Sequence, residues 1–123
     1  MKPREFAKML AAFRVAAGLT FAFAPRSAGS LLVGDDARAP GARLFIRAFG
    51  ARDVALGAGT FLALSSGRAA RPWLAACVLA DAFDAVATLR QFHELPRGRR
   101  TLTLAVSLAP AVAGSALVRG ATR

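Results

Sequence analysis

The sequence contains no tyrosine, one cysteine, one histidine and one tryptophan, and only 20% of its residues are charged. A single cysteine cannot form an intrachain disulfide and supplies no cysteine-based metal site. The chain also lacks the glycine-rich phosphate-binding, HExxH and GxSxG patterns, so no motif assigns an enzyme class. We therefore expect no cofactor and no metal. Whether the protein is an enzyme stays open.

The scarcity of charge argues against a soluble domain, which must cover its surface with charged side chains. Hydrophobic residues make up 55% of the 123 residues. Four apolar stretches have the roughly 20 residues that a helix needs to cross a bilayer; they are residues 6–24, 43–64, 72–92 and 101–118. They are continuous and alanine-rich, without the period-two alternation of strands. The sequence predicts an all-α fold: one multi-pass domain in the cell membrane, built as a four-transmembrane-helix bundle.

The first stretch stops at Pro25, because proline removes a backbone donor and restricts the residue before it. The following residues 25–42 are rich in glycine, proline, serine and aspartate and predict an interfacial loop, with at most a short turn at residues 27–34. A signal peptide cleaved after Ala24 is an alternative. Arg14 within the apolar run and Pro25 just after the site argue against it, so we expect the first span to be retained.

The net charge of +10 raises the question of nucleic acid. A nucleic-acid-binding protein gathers lysine and arginine on one face of a folded domain. Here most arginines lie at the ends of the apolar stretches, where they can contact lipid headgroups. Their distribution does not orient the bundle by the positive-inside rule. The predicted partner is the lipid bilayer and not nucleic acid; a second copy of the chain or another membrane protein is a further candidate.

Six charged residues interrupt the apolar stretches. They are Arg14 in the first stretch, Arg47, Arg52 and Asp53 in the second, and Asp81 and Asp84 in the third. Ionisable side chains at membrane depth are rare and usually face a partner or a polar cavity. Three arginines and three aspartates sum to zero, which predicts that the first three helices meet and neutralise one another.

Helical spacing places most of these residues on shared faces. Cys77, Asp81, Asp84 and Thr88 form one polar stripe of the third stretch, and Arg43, Arg47, Gly50, Asp53 and Gly57 share a face of the second. Arg14 lies about one turn from Gly18 in the first stretch. Glycines let helices approach closely. Arg52 is on a different side of its helix, where it would reach a second neighbour, across an oligomer interface for example.

Two interpretations of these polar residues remain. In the first, they only hold the helices together; in the second, they line a site for a small anionic or polar ligand or a proton relay. The corresponding functions are a small binding, transport or accessory membrane component, or a membrane-embedded enzyme. In the enzyme, Asp81 or Asp84 would be the acid or base and an arginine would polarise an oxygen. A cavity open to lipid would favour the enzyme, a continuous polar path would favour transport, and ion pairs without a cavity would favour an accessory role.

Three segments carry a family resemblance: APRSAG, IRAFGARDVALGAGTFLAL and RPWLAACVLADAFDA. The chain resembles small four-helix membrane proteins of the broad DoxX-like set from actinobacteria, over nearly its whole length. Arg47, Gly50, Arg52, Asp53, Gly57, Asp81 and Asp84 match the charged signature of that group. The group has no established activity, so the resemblance implies a fold and a membrane location but no reaction.

Overall fold

The computed structural model describes residues 1–120, which are helical almost throughout and contain no strand. The five α-helices are α1 (Pro3–Phe23), α2 (Pro25–Val33), α3 (Pro40–Ser65), α4 (Arg71–Arg90) and α5 (Arg100–Gly120). A short 3₁₀ helix, Gly34–Arg38, separates α2 from α3. The prediction of an all-α fold is confirmed. The four predicted stretches correspond to α1, α3, α4 and α5, and every helix end lies within one turn of its predicted position.

Proline marks where the first four helices begin, at Pro3, Pro25, Pro40 and Pro72. The first turn of a helix tolerates proline because its backbone nitrogen needs no intrahelical partner there and its φ is already helical. Only Ala24 separates α1 from α2, so the chain changes direction abruptly at this point.

The connection between α1 and α3 is more ordered than the sequence predicted. An interfacial loop was expected over residues 25–42, but α2 and the 3₁₀ helix occupy most of that range. The prediction was wrong because proline and glycine mark helix ends here: Pro25 starts α2, and Gly34 ends it with φ of +65°, which favours glycine. The hydroxyl of Thr103 donates to the carbonyl of Leu32 at 2.7 Å and ties α2 to α5.

Helices α1 and α3 are antiparallel and their backbones are in contact. A Cβ on Gly18 would lie 2.6 Å from the carbonyl oxygen of Gly50, and a Cβ on Gly57 would lie 2.7 Å from that of Ala11. No larger residue fits at these positions without moving a backbone. The three glycines that the sequence assigned to close helix packing, Gly18, Gly50 and Gly57, therefore all lie in this one contact.

Two arginines tie the ends of α1 and α3 to each other. Arg47 of α3 donates from Nη1 to the carbonyl of Ala22, at 2.5 Å, near the end of α1. Arg4 of α1 donates from Nη2 to the carbonyl of Leu64, also at 2.5 Å, near the end of α3. The last carbonyls of a helix lack intrahelical donors and carry partial negative charge, so a guanidinium is a favourable partner for them.

Helix α4 connects this pair to α5. Thr60 of α3 and Cys77 of α4 are buried against each other, with 3.6 Å between Oγ1 and Sγ, and the ring of Trp73 lies over Gly59. Helix α5 packs mainly on α4, near Val78 and Gly114, and makes few contacts with α1. A gap therefore remains between α1 and α5.

The outer surface of the bundle is apolar. Phe13, Phe45 and Phe83 are 71%, 74% and 73% exposed, on α1, α3 and α4 respectively. Three of the helices, α1, α4 and α5, are long and apolar enough to cross a membrane. Large exposed apolar side chains on such helices indicate a lipid environment rather than water.

Candidate functional site

Arg14 is the centre of a buried group of charges and joins three helices. Its Nη1 donates to Oδ1 of Asp53 on α3 at 3.1 Å, and its Nη2 donates to Oδ2 of Asp81 on α4. The side chain of Arg14 is only 13% exposed. Because each bond leads to a different helix, this one guanidinium holds α1, α3 and α4 in a fixed relation.

Arg52 forms a second junction between α3 and α4. Its Nη1 and Nη2 donate to Oδ1 and Oδ2 of Asp84 at 3.0 and 2.6 Å, the paired geometry that suits guanidinium and carboxylate. Nη2 also lies 3.4 Å from Oδ1 of Asp53. Asp53 thus connects the two arginines. We call Arg14, Arg52, Asp53, Asp81 and Asp84 the ion-pair network.

The helical geometry of α3 explains how two adjacent residues, Arg52 and Asp53, bond to different helices. Successive residues on a helix differ by about 100°, so Asp53 points to α1 while Arg52 points to α4. Asp81 and Asp84 are three residues apart and lie on the same face of α4. The sequence predicted that Arg52 would reach a second neighbour, and that neighbour is α4 of the same chain. The contact is the charge pair of Arg52 with Asp84.

Two residues predicted for the polar cluster lie outside the network. Arg47 is exposed and binds the end of α1, as described above. Thr88 donates its hydroxyl to the carbonyl of Asp84 within α4, at 2.8 Å, as threonine often does in a helix. The network consequently contains two guanidinium groups and three carboxylates. The balance of three arginines and three aspartates counted in the sequence is therefore not contained in this network, because Arg47 pairs with a backbone carbonyl instead of a carboxylate.

A cavity of about 330 Å³ lies beside the network, between α1, α3, α4 and α5. Four charged residues line it: Arg14, Asp53, Asp81 and Asp84. Most of the other lining residues are alanine, leucine, valine or phenylalanine. The cavity therefore has an apolar interior with a small group of charges on one side, the usual composition of a site for a small organic molecule.

Exposed lining residues on α1 and α5 indicate that the cavity reaches the surface between these two helices. Phe13 of α1 and Val106 of α5 both line it and are 71% and 41% exposed. The buried side chains of Thr60 and Cys77 line it on the α3 and α4 side. Cys77 therefore belongs to the interior, on the stripe of Asp81 and Asp84, as the sequence indicated.

The contribution of α5 was not predicted. Ser107, Pro110 and Gly114 line the cavity from α5, together with small apolar residues. Proline inside a helix cannot donate to the carbonyl four residues earlier, here that of Val106, which also lines the cavity. Serine, proline and glycine in an otherwise apolar helix are a weak signal of a polar or irregular surface, and they were the only indication in the sequence.

Within residues 1–120, no three histidine, cysteine, aspartate or glutamate side chains are grouped so that they could hold a metal ion. The charged groups that line the cavity are one guanidinium and three carboxylates, beside an apolar volume. Comparison of the chain with family models, with curated proteins and with solved structures gives no match.

Proposed function

We propose that the protein is a membrane protein with four spanning helices, α1, α3, α4 and α5. Helix α3 is not among the three helices that are apolar enough by composition alone, but it is 26 residues long. Its outward side carries Leu44, Phe45 and Leu62, all more than half exposed, and its charges Arg52 and Asp53 are directed at neighbouring helices. A helix with this arrangement can lie among three spanning helices without presenting those charges to lipid.

The proposed activity of this membrane protein is binding of a small lipophilic molecule that carries a polar group. One observation carries the proposal: a cavity of about 330 Å³ with apolar walls, bordered by the ion-pair network and open between α1 and α5. Cavities that bind small molecules begin at about 300 Å³. In a bilayer the opening would face the lipid tails, so a lipophilic molecule could enter from the membrane.

A purely structural role for the ion-pair network does not account for the cavity. Charges that only hold helices together are best enclosed by packed side chains, because an adjacent void removes dispersion contacts. An ion-conducting path is also poorly supported, since the walls beyond the charged residues are mostly apolar. Binding, with or without release on the other side, agrees best with these features.

The binding proposal can be tested by filling the cavity. Ala113 lines the cavity from α5, whereas Ala105 of the same helix is exposed and does not line it. Ala113→Leu should remove saturable binding of 1-adamantanol to the protein in lipid nanodiscs, measured by calorimetry against empty nanodiscs, and Ala105→Leu should not. Equal binding by wild type and a folded Ala113→Leu variant would contradict the proposal.

A membrane-embedded enzyme acting on a lipid-soluble substrate is the second candidate, supported by the lateral opening and by two of the carboxylates on the cavity wall, Asp81 and Asp84. Asp81 or Asp84 would act as acid or base, and Arg14 would polarise an oxygen of the substrate. Incubation of the purified protein with a bacterial lipid extract, followed by mass spectrometry, tests this role. An enzyme should change the lipid profile, and either Asp81→Asn or Asp84→Asn should abolish the change. An unaltered profile in the wild-type sample would count against it.

We also propose that the chain is related to the DoxX-like membrane proteins. The support is the resemblance over nearly the whole chain, and six of the resembling positions belong to two features of the fold. Arg52, Asp53, Asp81 and Asp84 belong to the ion-pair network, and Gly50 and Gly57 lie in the α1–α3 contact. An experimental structure of a DoxX-like protein that lacked an equivalent network would remove this support.

A further inference from the structure

The charges that line the cavity are unequal in number. Of the described residues on its wall, one carries a guanidinium, Arg14, and three carry carboxylates, Asp53, Asp81 and Asp84. Arg52 contributes a second guanidinium to the network but does not line the cavity. With both arginines included, one carboxylate remains in excess. A surplus charge away from water is unfavourable unless a proton or a cation neutralises it.

The excess negative charge lies on the side of the network that faces the cavity. Arg52 binds both oxygens of Asp84. Arg14 is the only arginine bonded to Asp81 among the described residues, and it divides its two terminal nitrogens between Asp81 and Asp53. Asp81 and Asp84 both line the cavity and are one helical turn apart, so one cationic group beside α4 could interact with both.

Two aromatic rings line the cavity, and one of them lies next to the network. The two rings, Phe21 and Phe49, are in edge-to-face contact, with 5.1 Å between ring centroids. Phe49 is close to the network, because the guanidinium carbon of Arg52 lies 4.8 Å from its centroid. The negative faces of aromatic rings attract organic cations. Carboxylates and aromatic rings together are suited to a substituted ammonium group.

We propose that the ligand is a lipophilic cation. Its ammonium group binds beside Asp81 and Asp84, and its apolar part fills the space between α1 and α5. This inference rests on the proposed binding function and adds the charge of the ligand. An inorganic cation does not fit, because the described residues contain no group of ligands for a metal ion and most of the cavity wall is apolar.

Three probes with the same apolar cage test the inference: 1-adamantylamine, 1-adamantanol and adamantane-1-carboxylate, which are cationic, neutral and anionic at neutral pH. Calorimetry of the full chain in zwitterionic lipid nanodiscs, against empty nanodiscs, should give about tenfold tighter binding of the amine than of the alcohol, since charge-assisted hydrogen bonds are about twice as strong as neutral ones. The carboxylate should bind weakest.

The outcomes separate the two proposals. Equal affinities for amine and alcohol, or tightest binding of the carboxylate, would overturn the cation inference and keep the binding function. Binding of none of the three would contradict both. In a folded Asp84→Asn variant the amine should lose its advantage over the alcohol, whereas Asp35→Asn, which alters an exposed carboxylate of the 3₁₀ helix, should keep it. An unchanged preference in Asp84→Asn would also contradict the assignment of Asp84.

Discussion

Replacing Gly57 by alanine tests whether the α1–α3 contact controls the geometry of the ion-pair network. A Cβ at position 57 would lie 2.7 Å from the carbonyl oxygen of Ala11 and 2.9 Å from Cγ2 of Val15. Ordinary contact begins near 3.4 Å, so α1 must retreat by about 0.7 Å at this level. That movement would carry Arg14, one turn further along α1, away from Asp53.

The expected cost follows from two effects. Overfilling a close contact typically costs about 1–3 kcal/mol. The 3.1 Å bond from Arg14 to Asp53 would stretch beyond hydrogen-bond range, which costs about 1.5–3 kcal/mol for a charged pair. Alanine recovers up to about 1 kcal/mol of helix propensity over glycine. The net loss in the free energy of unfolding should be about 2–4 kcal/mol, because local relaxation recovers part of the cost of stretching the Arg14–Asp53 bond.

The assay is unfolding by SDS in mixed micelles, followed by circular dichroism. Gly41→Ala is the matched control, since Gly41 lies in the same helix and no atom lies within 4 Å of the position that a Cβ would take there. The free energy of unfolding of this variant should be unchanged or slightly higher. If Gly57→Ala and Gly41→Ala agreed within about 0.5 kcal/mol, the size usual for surface changes, the close contact would not constrain α1 and the reasoning would be refuted.

Three further predictions concern the arginines and the cysteine. In a double-mutant cycle with Arg52→Gln and Asp84→Asn, the coupling in the free energy of unfolding should be about 1–3 kcal/mol. This is less than for a fully buried pair, because the side chain of Arg52 is 34% exposed. Strict additivity of the two substitutions would exclude the pair. Arg47→Met should lower the free energy of unfolding by about 1 kcal/mol in the same SDS assay, because the carbonyl of Ala22 loses its donor. Arg97→Met, at an exposed site, should change it little. Equal effects of the two substitutions would show that Arg47 does not stabilise α1. A bulky lipid-soluble maleimide should label Cys77 far more slowly in the folded protein than in SDS, and equal rates would place the thiol on the outer surface.

The four long helices could be predicted from the sequence because each is a continuous apolar stretch with the length of a membrane span. Each apolar stretch has enough residues to span a bilayer, and prolines stand at the beginnings of α1, α3 and α4. Helix α2 could not be predicted in the same way. Its nine residues include glycine, two serines and proline, and it packs against α1, α3 and α5 through contacts that no local pattern reveals, such as the bond from Thr103 to Leu32.

The candidate site was predictable in its residue types but not in its pairing. A charge within an apolar stretch is conspicuous, which is why all five members of the ion-pair network could be identified. Arg47 met the same criterion, yet it bonds to the carbonyl of Ala22 at the end of α1. This pairing could not be predicted, because every residue has a backbone carbonyl and the sequence does not show which one accepts a side chain. The cavity wall contributed by α5 is mostly alanine, valine and leucine, which look the same in sequence whether they face lipid or an internal space.

The two walls of the cavity differ in how they can respond to a guest molecule. On one side, α1 is interlocked with α3 through backbone contact at three glycines and is fastened at both ends by Arg4 and Arg47. On the other side, α5 touches α1 only slightly and lacks the backbone bond to the carbonyl of Val106 because of Pro110. If the cavity binds a ligand as proposed, bending of α5 would accommodate a bulky one, and the sequence around Pro110 would then set the upper limit on ligand size.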